Sequence, residues 1–218
     1  SGLPGVILTL YRDLTNDGLT GDDILLATTT TDASGTYTFT GLYAGDYLVQ
    51  VDTSSVVTSS FGVTSTIAAA MDLVSGTDPA DVNLATDSSV VSNADFGYNW
   101  GGSIGDFIWY DDNGNQSYDP GAGESPAPNV TTLLFYDSNG NGKLDAGEPV
   151  VAVGATDGSG AYLFDNLPPG NYIANADEQT VEGRSTPGVF SVMVSTTGTK
   201  HPVALAPNQD YTLADFGF

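Results

Sequence analysis

Apolar and polar residues alternate with a period of two in several short segments of the chain. Such alternation predicts antiparallel strands with one buried face. Because the strands are short and no helical period is sustained, the pattern predicts an all-β fold of sandwich type. The apolar run at residues 67–71 is interpreted as leading into a strand, with a helical turn as the alternative. The alternating positions are Tyr37, Phe39, Tyr47, Val49 and Val51 in the first half and Tyr162, Phe164, Tyr172 and Ala174 in the second.

The two halves carry the same motifs in the same order. Residues 31–39 recur at residues 156–164, an offset of 125 (156 minus 31), and residues 94–98 match residues 214–218. Two tandem domains are therefore predicted, at residues 1–100 and 101–218, with residues 100–102 as a short joint. In both copies an Asp-x-Ser-Gly segment predicts a hairpin turn, since glycine supplies a positive φ and Asp binds the local backbone.

The two copies begin differently. The second starts with an apolar segment at residues 104–110, whereas the first opens at residues 1–6, which align with residues 126–130. The first domain is therefore expected to lack its first strand and one loop. Two explanations stay open: a cleavage or sequence boundary, or a strand donated by a neighbouring subunit to the open edge, where unpaired backbone groups favour pairing. Donation would build a filament or another open assembly.

Charge narrows the choice of partners. The 218 residues include 27 acidic and 4 basic ones, for a formal charge of -23, so binding to nucleic acid or to an anionic membrane is excluded. Cations are the expected partners, with adaptation to high salt as the alternative. No cysteine is present, and neither a signal peptide nor a membrane-spanning apolar run is found, which predicts a soluble, processed chain. The basic residues are Arg12, Lys143, Arg184 and Lys200.

Residues 137–148 satisfy every position of the calcium-loop pattern D-x-[DN]-x-[DN]-G-x5-E. In such a loop alternate side chains and one backbone carbonyl supply oxygens, glycine takes the bend, and a final Glu closes the shell. The flanks at residues 133–136 and 150–153 have the pattern of strands and not of the helices of an EF-hand. The sequence therefore predicts a Ca²⁺ site at a strand-to-strand connection. Its expected ligands are Asp137, Asn139, Asn141, the carbonyl of Lys143, Asp145 and Glu148.

Further motifs occur in a fixed order: Gly-Asp-Phe-Ile-Trp-Tyr-Asp at residues 105–111, an Asn/Asp-rich loop, Thr-Asp-x-x-Gly-x-Tyr-x-Phe, Leu-Pro-Pro-Gly-x-Tyr at residues 167–172, and a closing Ala-Asp-Phe-Gly-Phe. Together they resemble the B-domain family of serine-aspartate-repeat surface proteins over nearly the whole chain. The resemblance implies Ig-like, prealbumin-type β-sandwiches related to collagen-adhesin B repeats. It also implies loops that bind Ca²⁺ and a role as a stiff stalk in secreted or wall-anchored proteins.

The resemblance implies two further metal loops. In one, Gln116 replaces the turn glycine and an insert at residues 120–122 moves the closing Glu two places late. In the other, which belongs to the first domain, Ile24 stands where the closing Glu is expected, so that Asp22 or Asp23 would close a shortened and weaker shell. The candidate ligands are Asp111, Asn113, Asn115, Ser117, Asp119 and Glu124 in the former loop and Asp13, Thr15, Asp17, Leu19, Asp22 and Asp23 in the latter.

Catalysis has little support, because the single histidine, His201, lies in an expected loop and no Ser-His-Asp or Cys-His set can be assembled. The favoured function is an extracellular, cell-surface structural protein: part of a stalk, sheath or filament stiffened by Ca²⁺. Its expected partners are calcium ions and either copies of itself or neighbouring domains of a surface assembly. The alternative is an adhesin module that binds a host protein or polysaccharide, which an exposed apolar patch would favour.

Overall fold

The computed structural model describes residues 2–181 and 194–218, so Ser1 and Arg184 lie outside the described residues. The chain divides into two compact units, Ser1–Trp100 (unit 1) and Gly101–Phe218 (unit 2). The regular structure is almost entirely β, which confirms the all-β sandwich prediction. No helix in the described residues is long and apolar enough to cross a bilayer.

Unit 1 is built on one four-stranded antiparallel sheet in the order β2-β1-β3-β7. Leu8, Leu10 and Val49 point to one face of this sheet and form its core. A β4-β5 hairpin and a β6-β8 pair complete the unit. Its elements are β1 (Ile7–Arg12), a 3-10 turn (Thr20–Asp22), β2 (Ile24–Thr30), β3 (Gly45–Val51), β4 (Val56–Thr58), β5 (Thr64–Thr66), α1 (Ile67–Ala70), β6 (Met71–Ser75), β7 (Ala80–Leu84) and β8 (Gly97–Trp100).

Unit 2 is a sandwich of two sheets. One sheet has the order β12-β11-β14-β15, and the other is centred on β9. The elements are β9 (Gly102–Tyr110), a 3-10 turn (Pro120–Ala122), β10 (Ser125–Pro126), β11 (Thr131–Tyr136), β12 (Val150–Ala155), β13 (Ala161–Leu167), β14 (Gly170–Ala176), a 3-10 turn (Glu178–Thr180), β15 (Lys200–Leu205), β16 (Asp210–Tyr211) and β17 (Phe216–Gly217).

Strand β9 holds the second sheet of unit 2 together. It pairs antiparallel with β10 and β13 and parallel with β16 and β17. Ile104 and Ile108 on this strand are fully buried, and they pack with Phe164 and Phe216 in the core between the sheets. One strand therefore joins four segments, three of which are distant from it in sequence.

Unit 1 has no counterpart of β9 in its described residues, and one strand prediction is wrong for that reason. Tyr37 and Phe39 alternate as expected, but residues 36–42 form no strand. The equivalent segment of unit 2, β13, forms its backbone hydrogen bonds with β9. Without that partner the backbone of residues 36–42 has nothing to pair with, because an isolated strand gains no ladder hydrogen bonds.

The two predicted hairpin turns are tight turns of another kind. Asp157 accepts hydrogen bonds from the backbone N–H groups of Ser159 and Ala161, at 2.8 and 3.1 Å. However, β12 and β13 on either side of this turn belong to different sheets. The turn therefore carries the chain across the sandwich. The matching turn at Asp32 is followed by the unpaired residues 36–42.

Two smaller predictions also need correction. His201 lies within strand β15 and not in a loop, and its Nε2 is 2.9 Å from the hydroxyl of Tyr211. Pro202 is compatible with this strand because β15 pairs only with β14 and forms an edge. The expected joint at residues 100–102 is reduced to Gly101, since Trp100 ends β8 and Gly102 begins β9.

The run at residues 67–71 forms one helical turn that leads into β6.

Candidate functional site

Three acidic loops connect neighbouring strands. Loop 1 (residues 13–23) joins β1 to β2, loop 2 (residues 111–124) joins β9 to β10, and loop 3 (residues 137–148) joins β11 to β12. Each loop begins directly after a strand that is partly or fully buried, so its first residue is held by the sheet. The predicted connection of loop 3 between two strands is confirmed, because β11 and β12 pair antiparallel on either side of it.

The loops share one backbone pattern. Their fourth and sixth residues are left-handed, a conformation that favours glycine and asparagine. Gln116 takes this conformation where the other loops have glycine, so its substitution changes the residue type but keeps the bend. The left-handed fourth position was not predicted from the sequence, although the Asn or Gly residue that occupies it in every loop was a signal for it: Asn16, Gly114 and Gly140. The φ values are 55° at Asn16, 75° at Gly18, 71° at Gly114, 66° at Gln116, 67° at Gly140 and 71° at Gly142.

The first aspartate of each loop is buried and is bound by backbone N–H groups. Asp137 is 3% exposed, and its carboxylate accepts hydrogen bonds from the N–H groups of Gly140 and Gly142, at 2.7 and 2.8 Å. Asp111 accepts from Gln116 at 2.9 Å, and Asp13 accepts from Thr15 and Asn16. Burial by itself raises the pKa of Asp111, but the nearby Thr196 hydroxyl and hydrogen bonds from the loop backbone lower it overall.

Amide side chains order the middle of loop 3. The Oδ1 atoms of Asn139 and Asn141 accept the N–H groups two residues further along, at 2.9 and 2.7 Å. Their Nδ2 atoms donate to Asp145, at 2.9 and 2.7 Å, and these hydrogen bonds lower the pKa of the Asp145 carboxyl. Rotating either amide by 180° would exchange its oxygen and nitrogen, so both can offer oxygen to a cation.

Loop 2 repeats this arrangement. Asn115 and Ser117 donate their N–H groups to the Oδ1 atoms of Asn113 and Asn115, at 2.9 and 2.8 Å, and the Asn115 amide donates to Asp119 at 2.5 Å. In loop 1, Leu19 donates its N–H to Asp17 at 2.9 Å. The residue at position seven, whether Lys143, Ser117 or Leu19, thus makes the same backbone contact in all three loops.

The closing carboxylate of each loop has one oxygen bound and one oxygen without a partner. Glu148 accepts the N–H of Asp145 at 3.0 Å and Glu124 accepts that of Asp119 at 2.7 Å, both through Oε2. Their Oε1 atoms are buried and have no hydrogen-bond partner among the residues that the structure describes. Glu124 is itself only 5% exposed. A buried carboxylate oxygen without a partner is costly, and a cation in the loop would remove that cost.

Strand register identifies the closing residue of loop 1. Arg12 pairs with Ile24 in unit 1, and Tyr136 bonds to Pro149 in unit 2. The residue before Ile24 is therefore the equivalent of Glu148, and it is Asp23. Its Oδ1 accepts the N–H of Leu14 at 3.0 Å, and its Oδ2 is buried without a partner in the described part of the chain. Asp22 is exposed in the 3-10 turn, so of the two predicted alternatives the geometry favours Asp23.

The loops offer carboxylate, amide and carbonyl oxygens, which are the donors that Ca²⁺ prefers. Within residues 2–181 and 194–218, no three acidic or histidine side chains converge to hold a metal by themselves. A bound cation would therefore depend on the amide and backbone oxygens of the loop pattern as well as on its acids. The partnerless oxygens of Glu124, Glu148 and Asp23 are of the kind that a hard cation would satisfy.

An aromatic cluster under loop 2 was missed by the sequence analysis. Phe107 and Trp109 lie stacked on the outer face of β9, with ring centroids 6.1 Å apart. Tyr118 of loop 2 packs on Phe107 at 4.7 Å. The alternation of Phe107 and Trp109 with buried Ile108 was a signal that both faces of β9 are covered. Loop 2 is therefore coupled to the central strand of its sheet.

A second feature of unit 1 is a groove where the missing strand would lie. It has a volume of about 730 Å³ and runs between residues 36–42 and residues 87–95, with the β-sheet core as its floor. A smaller groove of about 220 Å³ adjoins it beside Val6 and Phe96. We call the two together the slot.

The walls of the slot match the walls that hold β9 in unit 2. The hydroxyl of Tyr37 donates to the carbonyl of Ala94, just as the hydroxyl of Tyr162 donates to that of Ala214. Whereas Tyr162 is 6% exposed, Tyr37 is half-buried. The slot is therefore formed and held open in unit 1, with its aromatic lining partly exposed to solvent.

These features define the class of the protein: a chain of two β-sandwich units with ordered acidic loops at its strand connections. The chain belongs to the SdrD B-like domain family, whose model matches residues 1–98 and again residues 102–218. The resemblance seen in the sequence motifs is thus confirmed. Members of this family are surface domains and not enzymes, and the chain is accordingly extracellular or attached to the cell surface.

Several known proteins are similar to the chain. Serine-aspartate repeat-containing protein F of Staphylococcus epidermidis is 30% identical over 189 residues, which are 81% of this chain and 10% of that protein. The bone sialoprotein-binding protein of Staphylococcus aureus is 34% identical over 158 residues, 68% of this chain and 12% of that protein. The chain thus spans about a tenth of the length of these relatives. The solved Bacillus anthracis TIE protein matches 99% of this chain and 30% of its own at 14% identity, with a TM-score of 0.46.

Proposed function

We propose that the chain is a load-bearing segment of a surface stalk, sheath or filament whose β-sandwich units are stiffened by Ca²⁺ in loops 1, 2 and 3. The observation that carries the proposal is the common loop design, with a buried first aspartate and a closing carboxylate that keeps one buried oxygen without a partner. A cation that binds only the folded loops would satisfy those oxygens and relieve the repulsion among the acids.

Stiffening follows from where the loops lie. Each loop joins two strands, so a cation held by its first and last residues would tie the end of one strand to the start of the next. Binding to the folded state alone stabilises it by RT ln(1 + [L]/Kd), about 2.7 kcal/mol per site at a hundredfold excess over Kd. That is a sizeable part of the roughly 5–15 kcal/mol that stabilises a typical domain.

The test is calorimetry of the 218-residue chain with Ca²⁺, with Mg²⁺ and with EDTA. We expect Ca²⁺ to raise the melting temperature and to give a saturable heat of binding, and EDTA to reverse both. Mg²⁺ serves as the control because it demands a smaller, octahedral shell. An unchanged melt in EDTA, together with no heat of binding, would remove the calcium part of the proposal.

The proposal includes assembly by strand donation into the slot of unit 1. Backbone groups on the walls of the slot have no ladder partner in the described residues, and such groups favour the addition of a strand. A chain that accepts a strand at one end joins its neighbour through a β-sheet, which makes the connection rigid. Sedimentation of mixtures of the chain with candidate partners would detect the connection.

The alternative of an adhesin module is favoured by one observation. Strand β2 lies at the edge of its sheet and exposes Ile24, Leu25 and Leu26 by 53%, 58% and 46%. Leu25→Asp would abolish adhesion through this patch, while Thr28→Asp on the same strand would leave it unchanged. Surface plasmon resonance against bone sialoprotein, the ligand in the name of one relative, measures the difference. Equal binding by both variants would exclude the patch.

A further inference from the structure

We propose that the slot of unit 1 accepts an extended segment with the side-chain pattern of β9, supplied by polypeptide outside the two described units. The segment would run antiparallel to residues 36–42 and parallel to residues 90–97. This inference rests on the proposed function, because it names the strand that unit 1 receives and the chemistry by which the slot selects it.

Unit 2 shows the occupied form of the same site. Tyr162 and Phe164 of β13 pair with Asp106 and Ile104 of β9. By the repeat offset of 125 residues, the corresponding positions on the wall of the slot are Tyr37 and Phe39. On the other side of β9, Phe216 pairs with Ile108 in parallel, and Phe96 is its counterpart in unit 1. The register of an incoming strand is therefore set on both sides.

The slot also specifies side chains. In unit 2 the apolar inward residues of β9 are Ile104, Ile108 and Tyr110, which are 0%, 0% and 6% exposed. Gly105 is required as well, because a β-carbon there would lie 2.3 Å from the carbonyl oxygen of Tyr162. The expected segment thus has the pattern aliphatic, glycine, any, any, aliphatic, any, aromatic.

The source follows from how firmly β9 is held. In a second copy of this chain β9 already pairs with β10, β13, β16 and β17. Withdrawing it would expose Ile104 and Ile108 and break the ladder on both sides. A donor strand that forms new backbone hydrogen bonds in the slot without breaking existing ones must therefore come from a segment that belongs to neither unit.

One end of the slot must open slightly for docking. A β-carbon at Gly35 would lie 2.6 Å from the Cα of Gly2, whereas at the equivalent Gly160 it would lie 2.5 Å from the carbonyl oxygen of Ile108. The backbone at Gly2 therefore lies where the donor would pass. Its counterpart in unit 2, Pro126, pairs beside β9 at Trp109. Docking requires residues 2 and 3 to move outward to that flanking position.

The experiment uses a fluorescent peptide with the sequence of residues 101–112 and the full 218-residue chain. We expect saturable binding by fluorescence anisotropy. Hydrogen exchange should show new protection at residues 36–42 and 90–97, and no change at residues 161–167, where the equivalent position is already filled. Peptides carrying Gly105→Val or Ile108→Asp should bind at least about tenfold more weakly. Because the substitutions are in the peptide, the folding of the 218-residue chain is not affected.

Three outcomes would overturn the inference: no saturable binding, equal binding of the native and substituted peptides, or protection that appears in unit 2 instead of unit 1. Self-association of the concentrated chain that the native peptide competes away would identify a second copy as the occupant. In that case strand donation would stand and the source named here would be wrong. The calcium part of the proposed function is tested by the EDTA melt, so each can fail without the other.

Discussion

The two units share one sheet and differ in the other. The orders β2-β1-β3-β7 and β12-β11-β14-β15 are the same arrangement repeated. Opposite this sheet, unit 2 has a complete partner around β9, while unit 1 leaves the matching residues 36–42 without a strand. Phe164 and Phe216 are 5% and 1% exposed, but their counterparts Phe39 and Phe96 are only half-buried.

The difference shows that the two sheets depend on different kinds of contact. Strands β1 and β2, like β11 and β12, are joined by a single acidic loop and pair with each other directly. In the second sheet β9 and β10 form such a pair across loop 2, but β13, β16 and β17 all pair with β9 and not with one another. Removing one strand therefore leaves the first sheet intact and takes away the second.

The largest expected effect comes from weakening β9. Ile108→Ala removes a fully buried side chain at the centre of unit 2 and should cost about 2–5 kcal/mol in the free energy of unfolding. Amide exchange at residues 161–167 should accelerate toward the rate at residues 36–42. Urea unfolding combined with hydrogen exchange measures both quantities.

Val153→Ala is the matched control for this substitution. Val153 lies on β12 in the other sheet and is 66% exposed, so the change should stay within about 0.5 kcal/mol. If Ile108→Ala destabilised unit 2 while exchange at residues 161–167 remained slow, β9 would not be the element that organises the second sheet.

The next largest effect is expected when the closing carboxylate of a loop is substituted. Glu148→Gln keeps an oxygen that can accept the Asp145 N–H but removes the charge that would face a cation. In Ca²⁺ the variant should lose up to about 2.7 kcal/mol relative to the parent, and in EDTA it should match the parent. Asp23→Asn in loop 1 should lose less, because the shorter side chain closes a smaller shell. Melting curves at increasing Ca²⁺ measure both, and an equal loss in EDTA would indicate a structural role for Glu148 without a metal.

Local patterns in the sequence were enough to predict the fold class, the repeat and the loops. Asp137 and Gly142 could be placed because side-chain chemistry and a positive φ act within a few residues. Residues 36–42 could not, since their alternation is that of a strand while their conformation depends on a partner that unit 1 lacks. The choice of Asp23 over Asp22 depended on the pairing of Arg12 with Ile24, which is a property of the register and not of the loop.

A smaller effect is expected at the tyrosines that line the position of β9. The hydroxyl of Tyr162 donates to the carbonyl of the fully buried Ala214, at 2.5 Å. Tyr162→Phe leaves that carbonyl without a donor and should cost about 1–3 kcal/mol. Tyr37→Phe, the same change in unit 1, should cost about 0.5 kcal/mol or less because water can reach the half-open slot. Equal costs in urea unfolding would mean that the slot is closed in solution.

The smallest effect is a pH dependence confined to unit 2. The carboxyl of Asp215 hydrogen-bonds that of Asp106 on β9; burial, and then the charge of Asp106 and their hydrogen bond, raise the pKa of Asp215 to about 6. The folded state therefore binds the proton of Asp215 more tightly than the unfolded chain does. The stability that this proton contributes is fully present below pH 3.8, the pKa in the unfolded chain, and it is lost as the pH rises through about 6.

Asp215→Asn should remove this loss, because a neutral amide needs no proton to remain beside Asp106. The melting temperature of the variant relative to the parent should rise between about pH 4 and about pH 7, measured in EDTA so that the loops contribute equally to both. Asp95→Asn in unit 1 is the matched control: Asp95 occupies the equivalent position, but unit 1 has no β9 to bring a second carboxyl to it, and its profile should parallel that of the parent. A parallel profile for Asp215→Asn as well would show that the Asp106–Asp215 pair does not hold a proton in the folded unit.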